Sequence, residues 1–215
     1  RLSHFEQQQI EELNRVKLQF FTNVTHELMT PLSILITSLE GLNKGVGEPH
    51  ALYSVMTVNA ARLMRLIQQI LEFRKAESGN LKLGVSQGDI AAFIRKCSEA
   101  FTPLVTKKAL HFSFEASPSS IRGWFDPDKV DKIIYNLLSN AAKYTPADGR
   151  IGITLTRLDN EVEIEVANSG ELMSREAIDN LFKRFYDGKY RKFHTIGTGI
   201  GLSLVKDLVT IHKGR

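Results

Sequence analysis

Hydrophobic residues recur with helical spacing through the first part of the chain and with alternating spacing toward its end. At about 100° per residue, Phe21, Val24, Leu28, Leu32, Leu35, Leu39 and Leu42 fall on one stripe, which predicts a single helix over residues 5–43. Gly41, Gly45, Gly47 and Pro49 end it, because glycine and proline punctuate helices. Leu52, Met56, Leu63 and Ile70, with Leu66 and Phe73 as a companion row, predict a second helix over 50–77 in a coiled-coil-like register. A hairpin of two such helices leaves part of each stripe in water, so a second copy is expected to complete a dimeric four-helix bundle.

After Ser78-Gly-Asn80 the pattern changes to β-branched and alternating segments. It predicts a short strand over 81–85, a helix from Asp89 as N-cap to about 106, and a strand over 110–114. A helix over 127–143 and strands over 151–158 and 161–167 follow. In the last pair Ile151, Ile153 and Leu155, then Val162, Ile164 and Val166, point one way, and Asp159-Asn160 forms the hairpin turn. The reading is an α+β chain in two domains, 1–78 helical and 79–215 an antiparallel sheet covered on one face by helices.

Composition refines this picture only at its margins. The chain has 215 residues, 42% hydrophobic and 24% charged, enough for two modest cores. A net charge of +4 without any Lys/Arg run argues against nucleic acid as a partner. Cys97 is the only cysteine and shares an apolar helix face with Ile90, Phe93, Ile94 and Phe101, which predicts a buried small hydrophobe. There is no disulfide framework, signal peptide or long apolar run, so the polypeptide is expected to be soluble in a reducing cytoplasm. It opens mid-helix at Gln7-Gln-Gln-Ile, as a piece of a longer chain would. The remaining histidines, 4, 50, 111, 194 and 212, have no metal-ligand spacing.

His26 stands opposite the apolar stripe of the first helix, on a ridge with Thr22, Thr30, Ser33 and Thr37. Small hydroxyl neighbours leave an imidazole uncrowded in water, where its neutral form is nucleophilic at cellular pH. Glu27 follows, and a carboxylate beside an imidazole can accept the Nδ1 proton and leave Nε2 with its lone pair outward. On the 127–143 helix, Val130, Ile133, Ile134, Leu137, Leu138 and Ala141 make the buried face, while Asn136, Asn140 and Lys143 share a polar stripe. Amide oxygens ligate Mg²⁺, amide nitrogens donate to phosphate, and an ammonium adds a point charge for the same anion. Tyr144 adds a planar face for a purine. Gly197-Thr-Gly-Ile-Gly-Leu-Ser203 opens a last helix, where backbone N–H groups can approach a polyphosphate. It matches neither a dinucleotide-binding fingerprint nor a Walker A loop.

His26-Glu-Leu-Met-Thr-Pro31 resembles, residue for residue, the H-box of sensor histidine kinases, in which this histidine accepts phosphate. Asn136-Leu-Leu-Ser-Asn140-Ala-Ala-Lys-Tyr-Thr-Pro146 closely resembles their N-box. The resemblance implies that Asn140 holds Mg²⁺, that Asn136 and Lys143 touch phosphates, and that Tyr144 faces adenine. Val166-Ala-Asn-Ser-Gly-Glu-Leu-Met173 stands where the G1 box usually reads Asp-x-Gly-x-Gly. Asn168 replaces the Asp, Gly170 is kept, and Leu172 takes the place of the second glycine, so weakened adenine binding is expected. Leu181-Phe-Lys-Arg-Phe-Tyr186 resembles the F-box, with Phe182 and Phe185 anchoring a lid over 187–195 and Arg184 directed to the phosphates. The loop carrying Gly197, Thr198, Gly199, Gly201 and Leu202 stands in the place of the G2 box.

These motifs cover nearly all of residues 10–213. They imply a dimerisation and histidine-phosphotransfer hairpin followed by an ATP-binding α/β sandwich with a mixed sheet, the fold shared by histidine kinases, gyrase B and related chaperones. They imply ATP and Mg²⁺ as cofactors, a homodimer, and a response-regulator receiver, separate or fused downstream as in hybrid sensors. Glu27 is the implied base, and Thr30 is implied to help a water dephosphorylate the receiver. The family places this portion in the cytoplasm, with the longer protein anchored in a bacterial inner membrane. It also continues past His212-Lys-Gly-Arg215 into a last strand pair, which this chain is expected to lack. An alternative set by the altered G1 box is a regulatory ATP-binding dimer without kinase activity. Other rivals are an ATPase of the chaperone or topoisomerase type and a helical dimerisation protein that binds no nucleotide.

Overall fold

The computed structural model describes residues 4–184 and 199–215. Their order is α1 (His4–Lys44), α2 (Pro49–Glu77), β1 (Ser86–Asp89), α3 (Ile90–Glu99), α4 (Thr102–Lys107), β2 (His111–Ser117) and β3 (Arg122–Phe125), then α5 (Pro127–Tyr144), β4 (Arg150–Leu158), β5 (Glu161–Asn168), α6 (Arg175–Asn180) and α7 (Gly201–Ile211). The chain divides into two compact units. One gathers the chain up to Gly79 with the described residues of Leu181–Ser203; the other comprises Asn80–Asn180 and Leu204–Arg215. The sequence reading kept all of 79–215 together, whereas here Ile200 is fully buried against Phe20, Val24 and Phe73 of the hairpin. Burial of an aliphatic side chain against two aromatic rings accounts for that grouping.

In the first unit, α1 runs unbroken through Pro31, which supplies no N–H to the Glu27 carbonyl one turn earlier. Gly45 and Gly47 turn the chain with φ of 64° and 92°, a region open to glycine. The Glu48 carboxylate then caps α2 by accepting from the His50 and Ala51 amides, with Pro49 in the first turn. The two helices meet along a seam. Phe20 is 5.8 Å from Phe73 between ring centroids, and Leu52, Met56, Leu63, Leu66 and Ile70 are half-buried. The predicted stripe of α1 splits: Val24 is buried and Leu28, Leu35 and Leu42 half-buried, while Phe21, Leu32 and Leu39 are 63%, 40% and 50% exposed. One partner helix can cover only part of such a stripe, so the remainder is exposed in the single chain.

The second unit is an α/β layer. β2 pairs parallel with β4, β4 pairs antiparallel with β5, and β1 and β3 form a separate antiparallel pair. The three-stranded sheet is therefore mixed, as the resemblance implied, and not wholly antiparallel as the alternation alone suggested. Ile151, Ile153 and Leu155 of β4 face the core with Ile94 of α3 and Ile134 and Leu138 of α5; Ser113, Glu115, Glu163 and Glu165 lie on the opposite, solvent face. A second cluster joins Leu204, Val205 and Leu208 of α7 to Ile133, with Leu81 and Leu137 packed on it. Cys97 is half-buried at the core edge, and burial, followed by Asp131, pushes its thiol up to about 12, as befits an inert side chain.

Four elements depart from the sequence reading, among them β3, where no strand was expected. The first strand begins at Ser86, after the predicted 81–85: Leu81 is held by side-chain packing on α5 and α7, with no ladder partner for its backbone. The helix predicted from Asp89 to about 106 breaks at Ala100–Phe101, because Pro103 can neither donate a helical hydrogen bond nor sit in a helix interior without a clash. α6 was not anticipated; Ser174 Oγ accepts the Ala177 N–H at 3.2 Å, an N-cap visible in the sequence but overshadowed by its short run.

Candidate functional site

The candidate residues fall into a set on the hairpin unit and a set on the α/β unit. On α1, His26 is exposed and its ring makes no hydrogen bond among the described residues. The hydroxyls of its ridge fold back onto the helix: Thr22 Oγ1 donates to the Leu18 carbonyl at 3.0 Å, Thr30 Oγ1 to the His26 carbonyl at 3.1 Å and Thr37 Oγ1 to the Ser33 carbonyl at 2.9 Å. Such back-bonding keeps short side chains close to the backbone. The imidazole thus stands clear of its neighbours, with Thr30 one turn away.

Glu27 is turned from that ridge toward α2. Its Oε2 accepts from Arg62 Nη2 at 3.0 Å, with side-chain exposures of 17% for Glu27 and 49% for Arg62. Sequence reading did not single out Arg62, which has no motif of its own; its position beside Glu27 follows from the pairing of the helices. Also in the hairpin unit, the Arg184 guanidinium lies 5.4 Å from the centre of the Phe73 ring. The resemblance directed Arg184 to phosphates; a cation over an aromatic face is the competing attraction here. Phe182 is 44% exposed. Gly199 has φ 70° and leads into Gly201 and half-buried Leu202 at the start of α7. Phe185, Gly197, Thr198 and the predicted lid over 187–195 lie outside the described residues.

On the α/β unit, Asp126 caps α5, accepting from the Lys129 amide at 3.1 Å through Oδ1 and from the Gly84 amide at 2.7 Å through Oδ2. Its own N–H donates to His212 Nε2 at 3.3 Å, which fixes the imidazole with Nδ1 as donor to the Leu208 carbonyl at 2.7 Å. This start sets the rotation of α5 and with it the stripe of Asn136, Asn140 and Lys143. Asn136 is only 5% exposed, its Nδ2 donating to the Lys132 carbonyl at 2.7 Å, so it is less accessible than a solvated stripe implies. Asn140 and Lys143 are half-buried, and Lys143 Nζ sits 5.3 Å from the centre of the Tyr144 ring. Asp128, in the first turn, is pulled upward by burial but held below the usual carboxylate range by hydrogen bonds from Lys132 and Lys129.

The end of β5 comes against the end of α5. A Cβ on Gly170 would lie 3.2 Å from the Tyr144 carbonyl oxygen and 3.6 Å from Asn168 Nδ2, so Tyr144, Asn168 and Gly170 share one small region. Asn168 Nδ2 donates to the Ser169 carbonyl at 3.1 Å, which leaves its Oδ1 as the outward acceptor. Ser169 fastens this corner: its Oγ accepts the Arg150 N–H at 2.8 Å and its N–H donates to the Arg150 carbonyl at 2.9 Å. Gly149 must lack a side chain, since a Cβ there would stand 2.4 Å from Thr145 Cγ2 and 2.8 Å from Ser169 Oγ. Neither Ser169 nor Gly149 was singled out, although the turn-forming Ala147-Asp-Gly149 was a signal. Leu172, in the place of the second G1 glycine, is 95% exposed.

An oxygen-rich hard cation suits this corner in part. Asn140 offers one amide oxygen, and no group of three or more His, Cys, Asp or Glu that could hold a metal occurs among the described residues. That donor set fits a Mg²⁺ ion held mostly by phosphate oxygens and water. No described helix is long and apolar enough to cross a membrane.

Residues 16–79 match the His Kinase A (phospho-acceptor) domain family, and residues 125–215 match the histidine kinase-, DNA gyrase B- and HSP90-like ATPase family. Histidine kinase P4 of Formosa agariphila is 32% identical over 220 residues, covering 99% of this chain, which spans 16% of that protein's length. Among solved structures, histidine kinase AdeS of Acinetobacter baumannii superposes with a TM-score of 0.59 at 23% identity over 86% of each chain. Histidine kinase ThkA, solved in complex with the response regulator protein TrrA, gives a TM-score of 0.58 at 21% identity over 98% of this chain and 60% of that one. At those identities the structural likeness is one of fold.

Proposed function

Because the chain belongs to the histidine kinases, we propose that it phosphorylates its own His26 from ATP and passes the phosphoryl group to an aspartate of a response-regulator receiver. The observation that carries this is the exposed, unencumbered imidazole of His26 inside the phospho-acceptor match, joined in one polypeptide to the Asn136, Asn140, Lys143, Tyr144, Asn168 and Gly170 region inside the ATPase match. The Nε2 lone pair forms the N–P bond as the bond from the γ-phosphorus to the β–γ bridging oxygen breaks. ADP leaves with that electron pair, and the Nδ1 proton passes to Glu27. Such a transfer needs mainly positioning and neutralisation of charge. Lys143 supplies a donor to the phosphates together with the second Nδ2 hydrogen of Asn136, the first being given to the Lys132 carbonyl; Asn168 Oδ1 accepts from the adenine amino group, and Tyr144 covers the ring. Asn140 would hold Mg²⁺, which when bound neutralises phosphate charge.

The uncovered line Phe21, Leu32 and Leu39 supports a homodimer through the hairpin. The receiver as partner is supported by the ThkA–TrrA complex, a structure of this fold, and Thr30 stands where it could aid dephosphorylation of that receiver. The longer protein is proposed to be a membrane-anchored sensor with this core in the cytoplasm. Incubation with γ-labelled ATP and Mg²⁺ tests the central reading: acid-labile, alkali-stable label should appear on wild type and be absent from His26→Gln, while both bind nucleotide. Wild type that binds ATP and never acquires label would favour the rival of an ATP-regulated dimer, for which the altered residues Asn168 and Leu172 are the motive.

A further inference from the structure

The Glu27–Arg62 pair assigns a part to a residue outside every motif. Adjacent residues on a helix project about 100° apart and do not face one another, so nothing in α1 itself aims the Glu27 carboxylate at the neighbouring imidazole. What holds that carboxylate is α2: Arg62 Nη2 donates to Oε2 at 3.0 Å, and Glu27 is only 17% exposed in the contact. A carboxylate has two oxygens and can accept from two donors at once. With Oε2 committed to the guanidinium, Oε1 is the oxygen left to accept a second donor. The arrangement has the logic of a nucleophile, a base, and a group that orients the base. The guanidinium is also a fixed positive charge on the Glu27 carboxylate, and 49% exposure leaves part of its donor fork in water.

We infer that Arg62 is a positioning residue for His26, acting through Glu27 to raise the nucleophilicity of the imidazole. This rests on the proposed role of His26 as phosphoacceptor, but the coupling can be read without any ATP. It requires no conformational change in the hairpin, since both partners belong to one helical unit.

Two measurements on the intact dimeric chain test it. Neutral imidazole attacks a carbonyl of diethylpyrocarbonate to give an N-carbethoxy group and release ethyl carbonate, and mass spectrometry gives the rate at each histidine. Arg62→Gln should slow carbethoxylation of His26 several-fold while leaving His50 and His111, both exposed and remote in sequence, at their wild-type rates. Glu27→Gln should slow His26 similarly, and the double variant should be no slower than the single ones, because residues acting as one unit are not additive. In autophosphorylation, Arg62→Gln should lower kcat by about 10- to 100-fold with KM for ATP unchanged, the expected size for a misplaced reacting group. Arg62→Lys should recover part of that loss. The inference is overturned if His26 reacts at the wild-type rate in Arg62→Gln, or if Arg62→Gln costs as much in the Glu27→Gln background as alone. A drop in melting temperature with both rates unchanged would make Arg62 a helix staple only. If wild type takes no phosphate from ATP while the carbethoxylation coupling holds, the kinase reading fails and the role of Arg62 in tuning the imidazole survives.

Discussion

Asp126→Ala should loosen α5, the helix that carries Asn136, Asn140 and Lys143. The carboxylate is 5% exposed and accepts two backbone amides, Lys129 N at 3.1 Å within α5 and Gly84 N at 2.7 Å from the segment before β1. Truncation to a methyl removes the N-cap, worth about 0.5–2 kcal/mol. It also removes the acceptor of the Gly84 amide, which belongs to an exposed residue that water can satisfy, so this loss is that of a net hydrogen bond, about 0.5–1.5 kcal/mol. Together these give about 1–3.5 kcal/mol. Asp126→Asn keeps an acceptor and an equally good cap, so its cost should be only about 1 kcal/mol, the loss of charge assistance. The chain has two units and a single unfolding midpoint would mix them, so the assay is amide hydrogen exchange read by mass spectrometry over Pro127–Tyr144. Protection there should fall by roughly 5- to 300-fold in Asp126→Ala, at about 1.4 kcal/mol per factor of ten. Peptides from α1 and α2 should be unchanged. Protection of α5 within about threefold of wild type would refute the argument that this carboxylate anchors the helix.

Other outcomes follow from individual contacts. Ile134→Ala, at a side chain with no exposure in the α5–sheet core, should cost about 2–5 kcal/mol and lower the melting temperature of the α/β unit in a thermal scan. Gly149→Ala would force a methyl to within 2.4 Å of Thr145 Cγ2 and 2.8 Å of Ser169 Oγ, so it should destabilise by about 1–3 kcal/mol and weaken ATP binding in calorimetry. Asn168→Asp should tighten ATP binding about fivefold by restoring a charge-assisted hydrogen bond, and an unchanged affinity would remove Asn168 from the adenine contact. The Ser120 hydroxyl, followed by the amide of Ala92, holds the Asp89 carboxyl below its ordinary value. A depressed folded-state value favours the fold above the ordinary carboxylate range of about 4, and that contribution disappears as pH falls through the lower value. Urea unfolding should therefore show the advantage of wild type over Asp89→Asn shrinking as pH drops below about 4.

The amphipathic helices, the α5 face and the β4–β5 hairpin were legible because each is a local pattern whose period survives packing. The α1 stripe was legible as a stripe, yet its division into a covered line with Val24, Leu28 and Leu35 and an uncovered line with Phe21, Leu32 and Leu39 was not. Which side of a helix another helix takes is decided by pairing, and pairing is not written in one segment. The break at Pro103 was readable and was outweighed by the longer apolar run around it. The strand at 81–85 failed for the opposite reason: its apolar residues satisfy side-chain packing, and the ladder register that names a strand is set by β3, far along the chain.

By itself, the sequence determined most of the elements, the motifs and the candidate reacting groups, His26 among them. It did so because spacing on a helix and the chemistry of a side chain are properties of a few consecutive residues. Only the tertiary structure decided that Glu27 is held by Arg62 across a helix pair, that Asp126 binds Gly84 and His212 at once, and that Ser169 and Gly149 close the corner at Tyr144. Each of those joins residues distant in the chain. Their meeting depends on how whole elements pack, a sum over many weak contacts to which no single stretch of sequence holds the key.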